Sequence, residues 1–183
     1  MTIRIGINGF GRIGRCTFAH IHESGRQDLE VVRINATGPI ETTAHLLRYD
    51  SVHGRAANAI RVEGRSIDAG RGPVEVMSTY DPSELDWEGC DVVLECTGKF
   101  NNGDKGRVHI ERGAGKVLFS APAKTVHRTV VFGVNHADLT RDDVMVSNGS
   151  CTPNCLAPMA TALTDAYPLN TPDPPPAKRR GES

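Results

Sequence analysis

The chain opens with Ile3 to Asn8, a short β-branched run bounded by glycine that predicts a buried strand, and Gly9, Gly11 and Gly14 follow at once as GxGxxG. Behind them Ile13, Thr17, Phe18 and Ile21 fall on one helical face until Gly25 offers a stop. Strand, tight turn, helix is the opening of a crossover unit, and it commits the next strand to lie parallel to the first. No other stretch narrows the choice of fold as much.

The rest of the chain keeps to that plan. Leu29 to Ile34 predicts a second buried strand, Glu41 to Tyr49 a short helix, and residues 58–79, broken by Gly64, Gly70 and Gly72, small antiparallel ribbons. Asp91 to Cys96 reads as a strand after a turn-like stretch at Asp81, Pro82 and Gly89, and Asp104 to Arg112 as a helix closed by Gly113. Lys116 to Ser120, Thr129 to Phe132 and Val144 to Ser147 complete the strands. Alternation in this order predicts an α/β fold, a Rossmann-like doubly wound, mostly parallel sheet with a small antiparallel ribbon insertion. Residues 1–150 form the expected dinucleotide-binding domain and 151–166 a helix that begins a second one. Residues 167–183, with five prolines and little that could fill a core, read as a disordered tail.

Composition excludes several classes of partner. At 183 residues, 38% apolar, 23% charged and a formal charge of -1, the chain has no field to gather nucleic acid or an anionic membrane. No apolar run reaches the roughly 20 residues that cross a bilayer, and the start lacks the layout of a secretory leader, so the cytoplasm is the expected compartment. Cys16, Cys90, Cys96, Cys151 and Cys155 are odd in number and irregular in spacing, which predicts thiols rather than a disulfide framework.

The glycine turn carries chemistry only in context. In the dinucleotide fingerprint the first glycine makes the turn, the second lets a pyrophosphate approach the backbone, and the third lets helix and strand pack closely. The helix start, Arg12 and Ile13, would offer backbone donors to the phosphates. A glycine-rich turn without a ligand is the competing reading. The acid expected at the end of the second strand, where it would bond the ribose hydroxyls, is missing: that strand ends Ile34, Asn35, Ala36, and Glu30 sits at its front. NADP should therefore be tolerated beside NAD.

A second feature lies near the end. In SNGSCTPNCLAP, residues 147–158, Cys151 stands at or just before a helix start, where free amides and the helix dipole stabilise a thiolate. Pro153 suits a first turn, since its missing donor has no helical partner to lose. A buried, inert thiol is the alternative. Cys155 reads as packing, and with no further ligands at suitable spacing no metal site is read.

These blocks together resemble the glyceraldehyde-3-phosphate dehydrogenase family. INGFGRIGR at 7–15, HLLRYDSVHGR at 45–55, ECTGKF at 95–100, VLFSAP at 117–122, FGVNH at 132–136 and SNGSCTPNCLAP at 147–158 are similar to its successive signatures, in its order. The resemblance implies an oxidative phosphorylation of glyceraldehyde 3-phosphate to 1,3-bisphosphoglycerate, as in glycolysis or the Calvin cycle, through a thioester on Cys151. It implies NAD contacts at Asn8, Gly9, Phe10, Gly11, Arg12, Ile13, Gly14 and Asn35, with Thr97 and Ser120 toward the nicotinamide, and the attacking inorganic phosphate at Ser150 and Thr152. A homotetramer is the assembly it implies.

Departures accompany the resemblance. Ala36 replaces an acid, Tyr80 a basic residue before the Asp-Pro pair, Cys96 a serine and Pro153 a second threonine. Family members are longer and take a general-base histidine from beyond the cysteine, whereas all seven histidines here precede Cys151. The expectation is a truncated chain, largely without the catalytic domain and inactive alone. Three readings stand: an incomplete enzyme, a non-catalytic dinucleotide-binding remnant, and a degenerate truncated product.

Overall fold

The computed structural model describes residues 2–167, and most of the proline-rich tail lies outside them. The expected opening unit forms as β1 (Ile3–Asn8), α1 (Arg12–Glu23) and β2 (Leu29–Asn35), with β1 and β2 parallel. Along β1, Ile5 and Ile7 point to a core shared with Phe10, Phe18 and Ile21, while Trp87 lies against Gly6 on the opposite face. Both faces of the strand are covered, as a parallel sheet requires.

The helix α2 (Ile40–Arg48) ends one residue earlier than the sequence suggests, because Tyr49 pairs across a ribbon, β3 (Tyr49–Asp50) with β4 (Gly54–Arg55). The expected ribbons at 58–79 are β5 (Arg61–Glu63), β6 (Ser66–Asp68) and β7 (Pro73–Met77). They do not stand apart: β7 joins β2 in parallel, and β6 and β5 extend the sheet antiparallel to its edge. β8 (Val92–Glu95), α3 (Gly103–Glu111) and β9 (Lys116–Phe119) form the second crossover.

The strand expected at Thr129 to Phe132 is only β10 (Arg128–Thr129). Asn135 cuts it short by accepting from the Val131 amide at 2.7 Å and donating to the Thr129 carbonyl at 3.1 Å, ladder positions a neighbour would otherwise use. β11 (Met145–Ser147) precedes the last helix, α4 (Cys151–Ala166), which buries none of its residues. The nine-stranded sheet runs β10-β11-β9-β8-β1-β2-β7-β6-β5, a Rossmann-like order in which the chain turns outward from β1 in both directions.

The α1 face departs from expectation at one point. Gly14, Phe18, Ile21 and His22 are its buried residues, and Ile13 is 53% exposed. His22 stacks on Phe18 with ring centroids 4.0 Å apart and donates from Nδ1 to the Phe18 carbonyl at 3.0 Å. Burial, the largest cause, holds its pKa below the ordinary 6.5. The unfolded chain then binds the His22 proton more readily, so stability falls as pH drops below 6.5 toward the depressed folded value. Urea midpoints at pH 7 and pH 5 should differ less in His22→Gln than in the parent; an equal difference in both proteins overturns this assignment.

Candidate functional site

A cleft of about 400 Å³ opens outside the carboxyl ends of the parallel strands, where connections leave β1 and β8 in opposite directions. Asn8, Gly9, Phe10 and Gly11 come to it from the first turn, Asn35 and Ala36 from β2, and Cys96 and Thr97 from β8. Arg15 and Lys99 are the only charged residues lining it among the described residues, which give the cleft two cations and no carboxylate.

The three glycines have three different reasons to be glycine. Gly9 has φ +90, and a Cβ there would lie 2.7 Å from the Thr97 amide nitrogen. A Cβ at Gly14 would lie 2.2 Å from the Gly9 carbonyl oxygen, a backbone collision. Gly11 has an ordinary φ of -72, and a Cβ there meets nothing within 4 Å. The fold itself therefore requires the outer pair and leaves the middle position open toward the cleft.

Arg15 is the first α1 residue whose amide bonds back, to the Gly11 carbonyl at 3.0 Å. The amides of Arg12, Ile13 and Gly14 thus have no helical acceptor. The Arg15 guanidinium donates to the Phe10 carbonyl at 3.2 Å, and its buried Nε has no partner among the described residues. Free amides at a helix start, an orphaned guanidinium nitrogen and an open Gly11 fit an anionic pyrophosphate.

Beneath the cleft lies a buried polar network. Asn35 donates to the Asn8 side-chain oxygen at 2.8 Å and to the Thr79 carbonyl at 3.0 Å, and accepts from the Thr79 amide at 3.1 Å. Asn8 in turn donates to Glu95 Oε2 at 2.6 Å. The two asparagine side chains thus tie strand ends together and are occupied in doing so. Glu95, fully buried, also accepts from the Thr97 amide at 2.8 Å, from the Thr97 hydroxyl, and from His109 Nε2 at 3.0 Å. Trp87 Nε1 can only donate, and it does so to His109 Nδ1 at 3.0 Å. Nδ1 is therefore the bare nitrogen of His109, and Nε2 carries the hydrogen given to Glu95.

Four expected cofactor residues, Arg12, Ile13, Gly14 and Ser120, do not line the cleft. The Arg12 side chain turns to Asp50 at 2.5 Å, and Ile13 faces solvent. Gly14 packs against the turn from behind. Ser120 stands beside Cys96, whose thiol burial pushes up to about 11 against a hydrogen bond from that serine. Sequence reading missed Arg15, Lys99 and Thr79, and named Tyr80 only as a departure from the family pattern. Arg15 was within reach, four residues from Gly11 and one helical turn away. Thr79 and Tyr80 arrive only because β7 pairs with β2.

Cys151 is exposed and is the first residue of α4. Its N-cap, Ser150, makes no side-chain cap bond; Asn154 orders the entry by donating to the Asn148 and Ser150 carbonyls at 2.6 and 2.9 Å. Ser150, Cys151 and Thr152 lie outside the cleft lining but follow β11, which runs parallel to β1 through β9 and β8. The cysteine and the glycine turn therefore share one edge of the sheet, three strand spacings or about 14 Å apart. No helix among the described residues is long and apolar enough to cross a membrane.

Comparison with known proteins agrees with this geometry. Residues 3–103 match the model for "Glyceraldehyde 3-phosphate dehydrogenase, NAD binding domain". The chain is similar to glyceraldehyde-3-phosphate dehydrogenases of Cereibacter sphaeroides, 55% identical over 166 residues, and of Xanthobacter flavus, 54% over 168, each covering 91% of this chain and 50% of the relative. That of Pseudomonas aeruginosa is 48% identical over 166 residues, 89% of this chain and 50% of its own. The chain thus spans about half the length of these relatives.

Proposed function

Because the chain belongs to the glyceraldehyde-3-phosphate dehydrogenase family, we propose that it supplies the dinucleotide site and the nucleophile for phosphorylating oxidation of glyceraldehyde 3-phosphate to 1,3-bisphosphoglycerate. The contrast among the glycines carries the reading: no described residue obstructs a side chain at Gly11, and a pyrophosphate lying against the turn would. NAD, when bound, supplies the hydride acceptor. Gly11 and the α1 amides would hold its pyrophosphate, and Asn8 and Asn35 keep the strand ends in place around it. Thr97, fixed by Glu95, forms the wall on the β8 side.

Residues 1–150 then act as the dinucleotide-binding domain, with 151–166 the nucleophile helix. Cys151, exposed at the sheet edge it shares with the cleft, would add its sulfur to the aldehyde carbon. Ser150 and Thr152 would hold the inorganic phosphate that releases the acyl group as an acyl phosphate. The apolar residues that α4 leaves exposed, Leu156, Met159 and Leu163, support further packing partners, in keeping with a homotetramer. Five unpaired cysteines support a reducing, cytoplasmic setting.

Ala36, 5% exposed at the cleft, offers no carboxylate against a 2'-phosphate, and Arg15 and Lys99 favour added negative charge. Calorimetric titration should give saturable NAD binding with an NADP constant within about tenfold, a difference below roughly 1.4 kcal/mol. Ala36→Asp should widen the gap in favour of NAD. Cys151→Ser should leave the NAD constant unchanged and abolish addition of the thiol to the aldehyde carbon of glyceraldehyde 3-phosphate. Absence of saturable NAD binding would overturn the proposal.

A further inference from the structure

Beside the first cleft, with which it shares Arg15 and Leu46, a smaller cleft of about 160 Å³ lies between α1, α2 and the β3–β4 ribbon. Cys16 reaches it from α1, Asp50 from the end of β3 and His53 from the turn before β4. One ligand atom from each of the three lies within 4.8 Å of the other two. We propose that Cys16, Asp50 and His53 bind a divalent transition-metal ion of the zinc class, with water completing the shell.

The donor set selects that class. Thiolate, imidazole and carboxylate together suit zinc and its borderline neighbours, whereas magnesium and calcium take oxygen. Tetrahedral bonds of zinc to sulfur, nitrogen and oxygen place the ligand atoms roughly 3.4–3.6 Å from one another. His53 Nδ1 and Asp50 Oδ1 are already 3.2 Å apart. The His53 side chain is 68% exposed and can shift by the remaining ångström without disturbing a core.

The carboxylate is also held from outside. The Val52 and His53 amides each donate to Asp50 Oδ1 at 2.8 Å, and Arg12 approaches the other oxygen. Such partners fix a ligating carboxylate as they do in built metal sites. Arg12 also competes with the ion for Asp50, which sets an upper limit on affinity. Binding would convert the Cys16 thiol to a thiolate and release its proton to solvent, so affinity should weaken as pH is lowered. The ion would staple α1 to the ribbon, adding to the Arg12–Asp50 ion pair.

Cobalt(II) is the probe, added to the full chain in a Cys151→Ser, Cys155→Ser background so that exposed thiols do not compete. The expected result is one equivalent bound with a thiolate-to-cobalt charge-transfer band, displaced by zinc. Cys16→Ala should lose the band, and His53→Gln, on an exposed turn, should weaken binding by at least about tenfold. Absence of a band in the background protein, its persistence in Cys16→Ala, or unchanged affinity in His53→Gln overturns the site.

Discussion

Gly14→Ala is expected to unfold the dinucleotide domain or leave it severely weakened, while Gly11→Ala folds normally and loses cofactor. The same added methyl group meets opposite surroundings. At Gly14 it would lie 2.2 Å from the Gly9 carbonyl oxygen, a backbone atom that cannot rotate away. Either α1 moves off β1, opening the core around Ile7 and Phe18, or the Gly9 turn is remade. Overpacking of this kind costs about 1–3 kcal/mol and more when backbone must shift, a large share of a typical domain's stability. At Gly11 the methyl meets nothing within 4 Å, and the φ of -72 suits alanine. Removing a glycine there should stabilise the chain by about 0.4–1 kcal/mol through the unfolded state. Chemical denaturation and NAD titration of both variants check the pair. A Gly11→Ala protein that binds NAD as well as the parent would remove the reason for placing the pyrophosphate at this turn.

Glu95→Ala should be nearly as damaging, although no atom of Glu95 belongs to the cleft lining. Its carboxylate is the common acceptor for Asn8, the Thr97 amide and hydroxyl, and His109. Alanine would strand those donors in a site that is fully buried around Glu95 and His109. Each stranded donor costs about 1–3 kcal/mol, so a loss of several kcal/mol is the expectation. Glu95→Gln keeps the volume but turns an amide toward donors, and it should fall between parent and alanine. Should Glu95→Ala match the parent in its urea midpoint, the hydrogen-bond assignment beneath the cleft is wrong. Among variants that fold, weaker NAD binding at intact stability would show that Thr97 and Asn8 are positioned through this carboxylate.

Local patterns were legible where the physics is local. A glycine that must avoid its own turn, a proline in a first helical turn and an alternation of strands with helices are written within a few residues of where they act. Hence the Rossmann-like order, the glycine turn and Cys151 at the start of α4 all follow from reading along the chain. The sequence likewise places Ala36 at the end of the second strand, where the dinucleotide fingerprint expects an acid.

What tertiary structure decided is which distant side chains meet. Trp87, Glu95 and His109 come from a loop, a strand end and a helix, and glutamate is a type seldom buried unless paired, so nothing in their spacing announces a buried network. Ile13 looks like core and faces water, because helix phase is set by how α1 docks on β1. Asn8 and Asn35 line the cleft as expected, but only the fold shows that their side chains are also tied to each other, to Glu95 and to Thr79. Cys16 joins Asp50 and His53 only when the ribbon folds against α1. Periodicity reports which face of an element is apolar; only packing of one element on another brings its polar atoms to a common point.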